Sequence, residues 1–401
     1  MNDMKQNECC YQEVLRTLFR VLKPMSSEMI GLEDGLGRVS SASVTASFPR
    51  PLFDESVRDG YVIAETTGHG ESVQRYRITG EIPAGSPYGK VLGAGTGCRI
   101  MTGGCVPEGG SRVIPHEDCR EVDGDILVEK KKLSWNIYIR RKGADISEGD
   151  VLVGRGILLQ AGHLAHLASC GVQKIDVATL PVVGFFCTGS ELRHMNERDL
   201  ENGQKISSNS LLLRGLLDSI GIPCQDFGII PDNRQSLLDC FLAAKKSNVD
   251  VLISTGGMGP GKYDLVEKLF LEAGGNLIFT ELGMRPGKSV LFGTLGKTLF
   301  FGLPGPPYAV QTLFNLLVVP VVFSLQGLKE QLPRKTTAYL EHDIPVKRSD
   351  LLCFKDGVLE LRDGKCYVRL ADRDESPNCY IMLSAGQLFF KKGEMVEICL
   401  A

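Results

Sequence analysis

Excess charge of either sign is missing from this 401-residue chain, in which 45 Lys and Arg stand against 48 Asp and Glu for a formal net charge of -3. Without a strong field, bulk attraction to nucleic acid or anionic lipid is excluded. An anionic ligand must then be met locally, by backbone amides and a few cations. Paired cysteines are missing too. The thirteen cysteines are scattered singly apart from Cys9-Cys10 and form no C-x-x-C pair, so neither a zinc ribbon nor a disulfide framework is indicated. Several, such as Cys187, Cys240 and Cys399, sit in apolar runs and read as small core side chains in a reducing compartment. Met1 to Glu8 is polar and lacks the apolar stretch of a signal peptide. The most apolar window, Phe314 to Phe323, is half the length needed to span a bilayer and contains Pro320. These absences predict a cytoplasmic protein with neither a membrane nor a nucleic-acid partner.

What is present is a globular balance, 43% apolar and 23% charged, over a length that calls for two to four domains. Tyr11 to Leu22 repeats apolar residues at helical spacing until Lys23-Pro24. From Phe48 to about Tyr138 the chain is rich in Gly, Pro and short β-like runs, among them Tyr76 to Thr79 and Gly97 to Met101, and reads as a small β domain. Leu158 to Ala168 reads as a short helix ending at Gly171, with His163 and His166 on its surface or in a satisfied core rather than on a metal.

The pattern sharpens after Leu180. Apolar strands at Val182 to Cys187, Phe227 to Ile230, Val249 to Ser254, Val290 to Gly293 and Thr298 to Gly302 alternate with helices. These helices are Ser208 to Ile220, Ser236 to Lys246, Leu265 to Glu272 and Pro307 to Leu325. Uniformly apolar strands alternating with helices predict a parallel sheet covered on both faces. The segment from Lys335 to Ala401, with Asp356-Gly357 and Asp363-Gly364 as expected turns, reads as a separate small β barrel or sandwich.

In an open α/β sheet the ligand sits beyond the carboxyl ends of the strands, so the residues following each strand are the informative ones. Thr188 to Glu191, Pro231 to Asn233, Thr255 to Asp264 and Leu303 to Pro307 occupy those places. The loop with Gly256, Gly257, Gly259 and Gly261 has few Cβ atoms to keep its amides from converging on a phosphate. It is neither a P-loop nor a dinucleotide fingerprint. Glu191, Asp232 and Asp264 follow three different strands and can meet at one rim. Carboxylates beside phosphate call for a bridging cation, which points to Mg²⁺; the plainer alternative is that each acid caps a helix. Arg285-Pro286-Gly287-Lys288 offers two cations at a turn, suited to an oxyanion or to solvent.

Taken together, these stretches resemble the molybdopterin molybdenumtransferase family of the MoeA and gephyrin E-domain type. The resemblance rests on FDESVRDGYVI at 53–63, RIMTGGCVPEGG at 99–110, RRKGADISEGD at 140–150, CTGSEL at 187–192 and ISSNSLLLRGLLDSIG at 206–221. It continues through DFGIIPDN at 226–233, VLISTGGMGPGKYD at 251–264, RPGKSVLFG at 285–293 and GLPGPP at 302–307. They follow the family's order from Phe53 to about Leu325. The resemblance implies a multidomain α/β and β fold with a MogA-like parallel-sheet ligand domain at 179–327. It further implies an inserted β domain at 48–138, a discontinuous elongated domain at 7–47 and 139–178 used for dimerisation, and a C-terminal β barrel at 333–401.

The implied activity is insertion of molybdate into adenylylated molybdopterin with release of AMP, assisted by Mg²⁺, in a homodimer with intersubunit sites. By motif position the family's acids fall on Glu191, Asp232 and Asp264, implied as catalytic and metal-binding, and on Asp59. Its M-T-G threonine falls on Thr102, and its P-G-K lysine on Lys288. Gly256, Gly257, Gly259, Gly261, Arg285, Pro304 and Gly305 would complete the cofactor pocket. Departures lie at Lys262, where the family usually has an acid, and at Pro306 and Ala309, which replace an Asn and a Ser. Arg285 and Ser289 also differ from the usual K-P-G-K-P. These leave two alternatives open, a pterin-binding protein that has lost metal insertion and a transferase for tungstate.

Overall fold

The computed structural model describes residues 11–66, 72–86, 89–134, 137–258, 265–329, 333–347 and 350–401. Its largest element is a six-stranded sheet. The strands lie in the order Cys224–Ile230, Val183–Thr188, Val251–Thr255, Thr298–Leu303, Leu291–Leu295 and Asn276–Phe279. Alternation along each strand sends side chains to opposite faces. Phe185, Ile253 and Phe301 join a core with the Asn209–Ser219 helix and the last long helix, while Phe186, Leu252 and Phe300 pack with Phe241 and Phe270 on the other side. Both faces are covered, as uniformly apolar strands require.

The expected parallel sheet is corrected in one respect. Only the first four strands in that order are parallel. Leu291–Leu295 and Thr298–Leu303 form an antiparallel hairpin in which Leu295 pairs with Thr298 across Gly296-Lys297, and Asn276–Phe279 adds antiparallel at the edge. A two-residue connection can only reverse the chain; a parallel crossover needs a dozen residues or more. Gly296 supplies the left-handed residue of the turn, at φ +66°.

Helix boundaries shift for local reasons. Asn233 caps the Arg234–Lys246 helix by accepting from the Ser236 amide, so that helix begins two residues before the expected Ser236. The expected helix from Leu158 starts only at Ala161, where His163 Nδ1 accepts from the Gln160 amide. His163 is thus a cap, and among the described residues no three His, Cys, Asp or Glu side chains gather for a metal. The Pro307–Leu325 segment is helical throughout but passes through a π-helical turn at Phe314–Val318, directly before Pro320. Such a turn absorbs the hydrogen bond that a proline cannot donate. At 19 residues and a mean hydropathy of 1.8 this helix is longer than its most apolar window suggested and has the length and composition of a membrane span, yet 67% of that stretch is buried inside the fold.

Before this sheet lies an all-β unit with strand order Arg112–Pro115, Gly60–Ile63, Thr96–Ile100, Val73–Ile82, Asp125–Glu129 and Cys119–Val122. Ser27–Gly31 pairs with Lys174–Ala178, and Val44–Thr45 with Val151–Val153, so the stretches on either side of this unit run back together. After the sheet, Leu352–Arg362, Lys365–Leu370, Lys335–Leu340, Met395–Leu400 and Cys379–Leu383 close into a barrel. Asp363-Gly364 is the expected tight turn, with both residues at positive φ. Asp356-Gly357 is not a turn: Gly357 lies inside the long strand and pairs with both Leu370 and Cys379. The strand changes partners there, and a Cβ on Gly357 would come within 2.8 Å of Ile381. Closing a barrel needs such a side-chain-free corner. The barrel is not an independent appendage, since Met284–Arg285 pairs with Leu352 and Cys353, and Asn315 donates to the Tyr380 hydroxyl at 2.5 Å.

Candidate active site

The strand order places the first strand of the sheet, Val183–Thr188, between the second and the third, so the chain leaves the sheet in opposite directions from Thr188 and Thr255. A crevice opens between two such diverging strand ends. It is there, with a volume of about 650 Å³, lined by residues that include Glu191, Lys205, Asn209, Asp232, Gly257 and Gly305.

Asp232 ties the crevice together. Its Oδ1 accepts from the Thr188 hydroxyl at 2.5 Å and its Oδ2 from the Ser190 amide at 3.0 Å, while its own amide donates to Ser190 Oγ at 3.1 Å. The capping alternative fails for Asp232, because the cap of the next helix is Asn233. Asp232 instead sets the position of the loop that carries Glu191. Glu191 is exposed, and its carboxylate has no partner among the described residues. Asp264, Gly259, Gly261 and Lys262 lie outside the described residues.

Gly256 and Gly257, the two described glycines of the loop, are required by close packing. Gly256 does not aim its amide at a ligand; the amide donates to the Leu303 carbonyl at 3.0 Å. With φ at +92° and a would-be Cβ 2.4 Å from the Thr188 carbonyl oxygen, Gly256 is required for the two loops to touch. Gly257, at φ +62°, packs against Val266. Of the segment with Arg285 and Lys288, only Ser289 lines the crevice; Lys288 is exposed beside it, and Arg285 has a buried Nε without a partner among the described residues. Pro304 and Gly305 line the far wall with Pro306 and Pro307, and Pro307 is the first residue of its helix, where a missing N–H costs nothing.

Asp59 and Thr102 meet in the all-β unit, away from the crevice lining. Gly60 pairs with Ile100 in an antiparallel register, so the residue before one strand faces the residues after the other. The Thr102 amide and hydroxyl both donate to Asp59 Oδ1, at 2.7 and 2.9 Å, and hold its carboxyl below the ordinary carboxylate range. Gly60 also lets the neighbouring Arg112–Pro115 strand come close, since a Cβ there would lie 2.1 Å from the Ile114 carbonyl oxygen. The D-G-Y and M-T-G motifs, uninformative by spacing alone, are thus one clasp.

Residues 10–171 match the family model described as the MoeA N-terminal region (domain I and II), and residues 184–324 match the probable molybdopterin binding domain. The chain belongs to the MoeA family. A Staphylococcus aureus molybdopterin molybdenumtransferase is 28% identical over 407 residues, covering 99% of this chain and 96% of that protein. A Staphylococcus epidermidis molybdopterin molybdenumtransferase is 27% identical, covering 100% and 97%. The crystal structure of a molybdopterin biosynthesis MoeA protein from Pyrococcus horikoshii superposes with a TM-score of 0.80 at 25% identity, covering 98% of this chain and 100% of that one. Within the MoeA frame, Lys205 and Asn209 are crevice residues that motif reading passed over. Asn209 is the first residue of its helix, and only the packed sheet shows that it crosses to Thr255 and Gly305.

Proposed function

We propose that this chain is a molybdopterin molybdenumtransferase, which inserts molybdate into adenylylated molybdopterin and releases AMP. The observation that carries the reading is the crevice at the diverging strand ends, where Glu191 and Asp232 share a wall with Lys205 and the loops around Gly257 and Gly305. A substrate with an organic body and a charged bridge needs both kinds of lining.

Carboxylates are hard oxygen donors of the kind Mg²⁺ takes, one or two at a time, together with substrate phosphates. Glu191, with its unengaged carboxylate, and Asp232 are the described residues suited to hold it, with Asp264 as the third acid. When bound, the ion would neutralise charge growing on the departing phosphate. The chain's own part is positioning. Asp232 clamps the 188–191 loop so that Glu191 faces the crevice, and Lys205 with Lys288 supplies the cations that the chain's overall charge does not.

The Asp59–Thr102 clasp lies outside the crevice lining of its own subunit, and we propose a homodimer that brings it to a partner's crevice. This reading supports the division into 7–47 with 139–178, 48–138, 179–327 and 333–401, and a cytoplasmic location. Purified protein incubated with adenylylated molybdopterin, Mg²⁺ and molybdate should release AMP and yield pterin-bound molybdenum. Tight pterin binding with neither product would leave the pterin-binding alternative, and product with tungstate alone would change the oxyanion. Sedimentation as a monomer at micromolar concentration would remove the intersubunit site.

A further inference from the structure

Asn209 is 7% exposed and stands in the crevice wall. Its side-chain nitrogen donates to the Thr255 hydroxyl at 3.2 Å and to the Gly305 carbonyl at 2.9 Å. A carbonyl oxygen only accepts, so the group facing Gly305 must be the NH₂, and the amide orientation follows from chemistry. Both of its N–H bonds are consumed by the protein. Oδ1 is left buried, without a partner among the described residues. Two residues earlier, the Ser207 hydroxyl, 8% exposed and in the same wall, is likewise buried without a partner among the described residues. Leaving such groups unpaired is costly, and two together on one wall mark a place where something else makes the bonds.

We infer that Asn209 Oδ1 and Ser207 Oγ form a ring-edge or hydroxyl subsite that reads the organic part of the ligand, and that Asn209 is a specificity-determining residue. This rests on the transferase reading above and names which part of the substrate this wall takes. A fixed acceptor repels phosphate and molybdate oxygens, which carry negative charge and offer no proton. It selects an N–H or O–H donor, and the neighbouring serine can either donate or accept. An exocyclic amine beside a ring nitrogen, or adjacent hydroxyls, presents that pattern; a bare oxyanion does not. The charged bridge is therefore placed toward Glu191 and Lys205, and the donor-bearing end of the substrate toward Asn209.

The test is calorimetric titration of the full-length protein and of the variants Asn209→Ala, Ser207→Ala and Thr255→Val with three probes: AMP, molybdopterin and molybdate. Thr255→Val removes one anchor of Asn209 but keeps the acceptor, and Ser207→Ala deletes a hydroxyl that makes no protein bond, so neither depends on Asn209→Ala keeping its shape. Expected is a roughly tenfold loss of affinity for AMP or for molybdopterin in Asn209→Ala, a smaller loss of the same ligand in Ser207→Ala, and unchanged molybdate affinity. Which ligand suffers identifies the half of the substrate that is read. Asn209→Ala binding both organic probes as wild type does, or losing no more than Thr255→Val, would overturn the inference, as would an equal loss for molybdate. A wild-type protein that binds neither organic probe would instead refute the transferase reading.

Discussion

Replacing Gly256 by alanine tests whether the glycine loop is there for contact between loops. The new Cβ would meet the Thr188 carbonyl oxygen at 2.4 Å, at a backbone φ of +92°. Both colliding groups are backbone, so no side-chain rotation relieves the clash. An L side chain in the left-handed region costs about 1–2 kcal/mol. Moving the loop away breaks the Gly256 amide bond to Leu303, worth about 1 kcal/mol, and residual overpacking adds about 1–3 kcal/mol. Lower entropy of the unfolded chain returns less than about 1 kcal/mol. The net expectation is a destabilisation of roughly 3–5 kcal/mol, a large share of a domain's stability. Gly305→Ala is the internal control. It lies in the same crevice, but its nearest neighbour to an added Cβ is Gly256 Cα at 4.0 Å and its φ is not in the left-handed region. It should change stability by less than about 0.5 kcal/mol. Because a chain of several domains need not unfold in one step, the assay is hydrogen exchange of the Val251–Thr255 amides under increasing urea. Gly256→Ala protein with the protection of Gly305→Ala would refute the steric account and return the glycines to ligand binding.

Three further outcomes follow from named contacts. Asp232→Ala removes the acceptors of the Thr188 hydroxyl and the Ser190 amide; single-turnover AMP release should fall by roughly 10- to 100-fold, and an unchanged rate would show that the clamp is dispensable. Lys288→Ala, at an exposed position, should leave folding intact and weaken molybdate binding several-fold at low salt, with the difference shrinking as salt rises; equal affinities at low salt would make Lys288 a surface cation. In the barrel, Arg369 makes two 2.6 Å bonds to Glu375 and, with the Asp372 amide, lowers its carboxyl from 4.5 to about 2. A depressed folded pKa contributes stability above the unfolded value that is lost as pH falls through the folded one. Glu375→Gln should flatten the acid dependence of barrel unfolding between those two pH values, and an acid profile identical to wild type would count against the pair.

Sequence alone determined the family, the covered sheet and the positions at which chemistry gathers. Uniformly apolar strands report burial on two faces wherever they occur, and the residues after the parallel strands lie at one rim. Asp363-Gly364 was legible as a turn for the same local reason, because both residues tolerate positive φ. What pairs with what was not legible. Asp356-Gly357 has the composition of a turn, yet barrel closure uses its glycine as a corner inside a strand. Gly256 looks like a phosphate cradle, but the Thr188 carbonyl, 68 positions earlier, is what forbids a side chain there. Asp59 and Thr102 meet only because Gly60 pairs with Ile100, and Asn209 is fixed in the crevice wall by Thr255 and Gly305, which take its two N–H bonds. Burial and turn preference are properties of short segments and so can be read from them. Register, close backbone approach and the satisfaction of polar atoms depend on distant residues, so they exist only once the chain has packed.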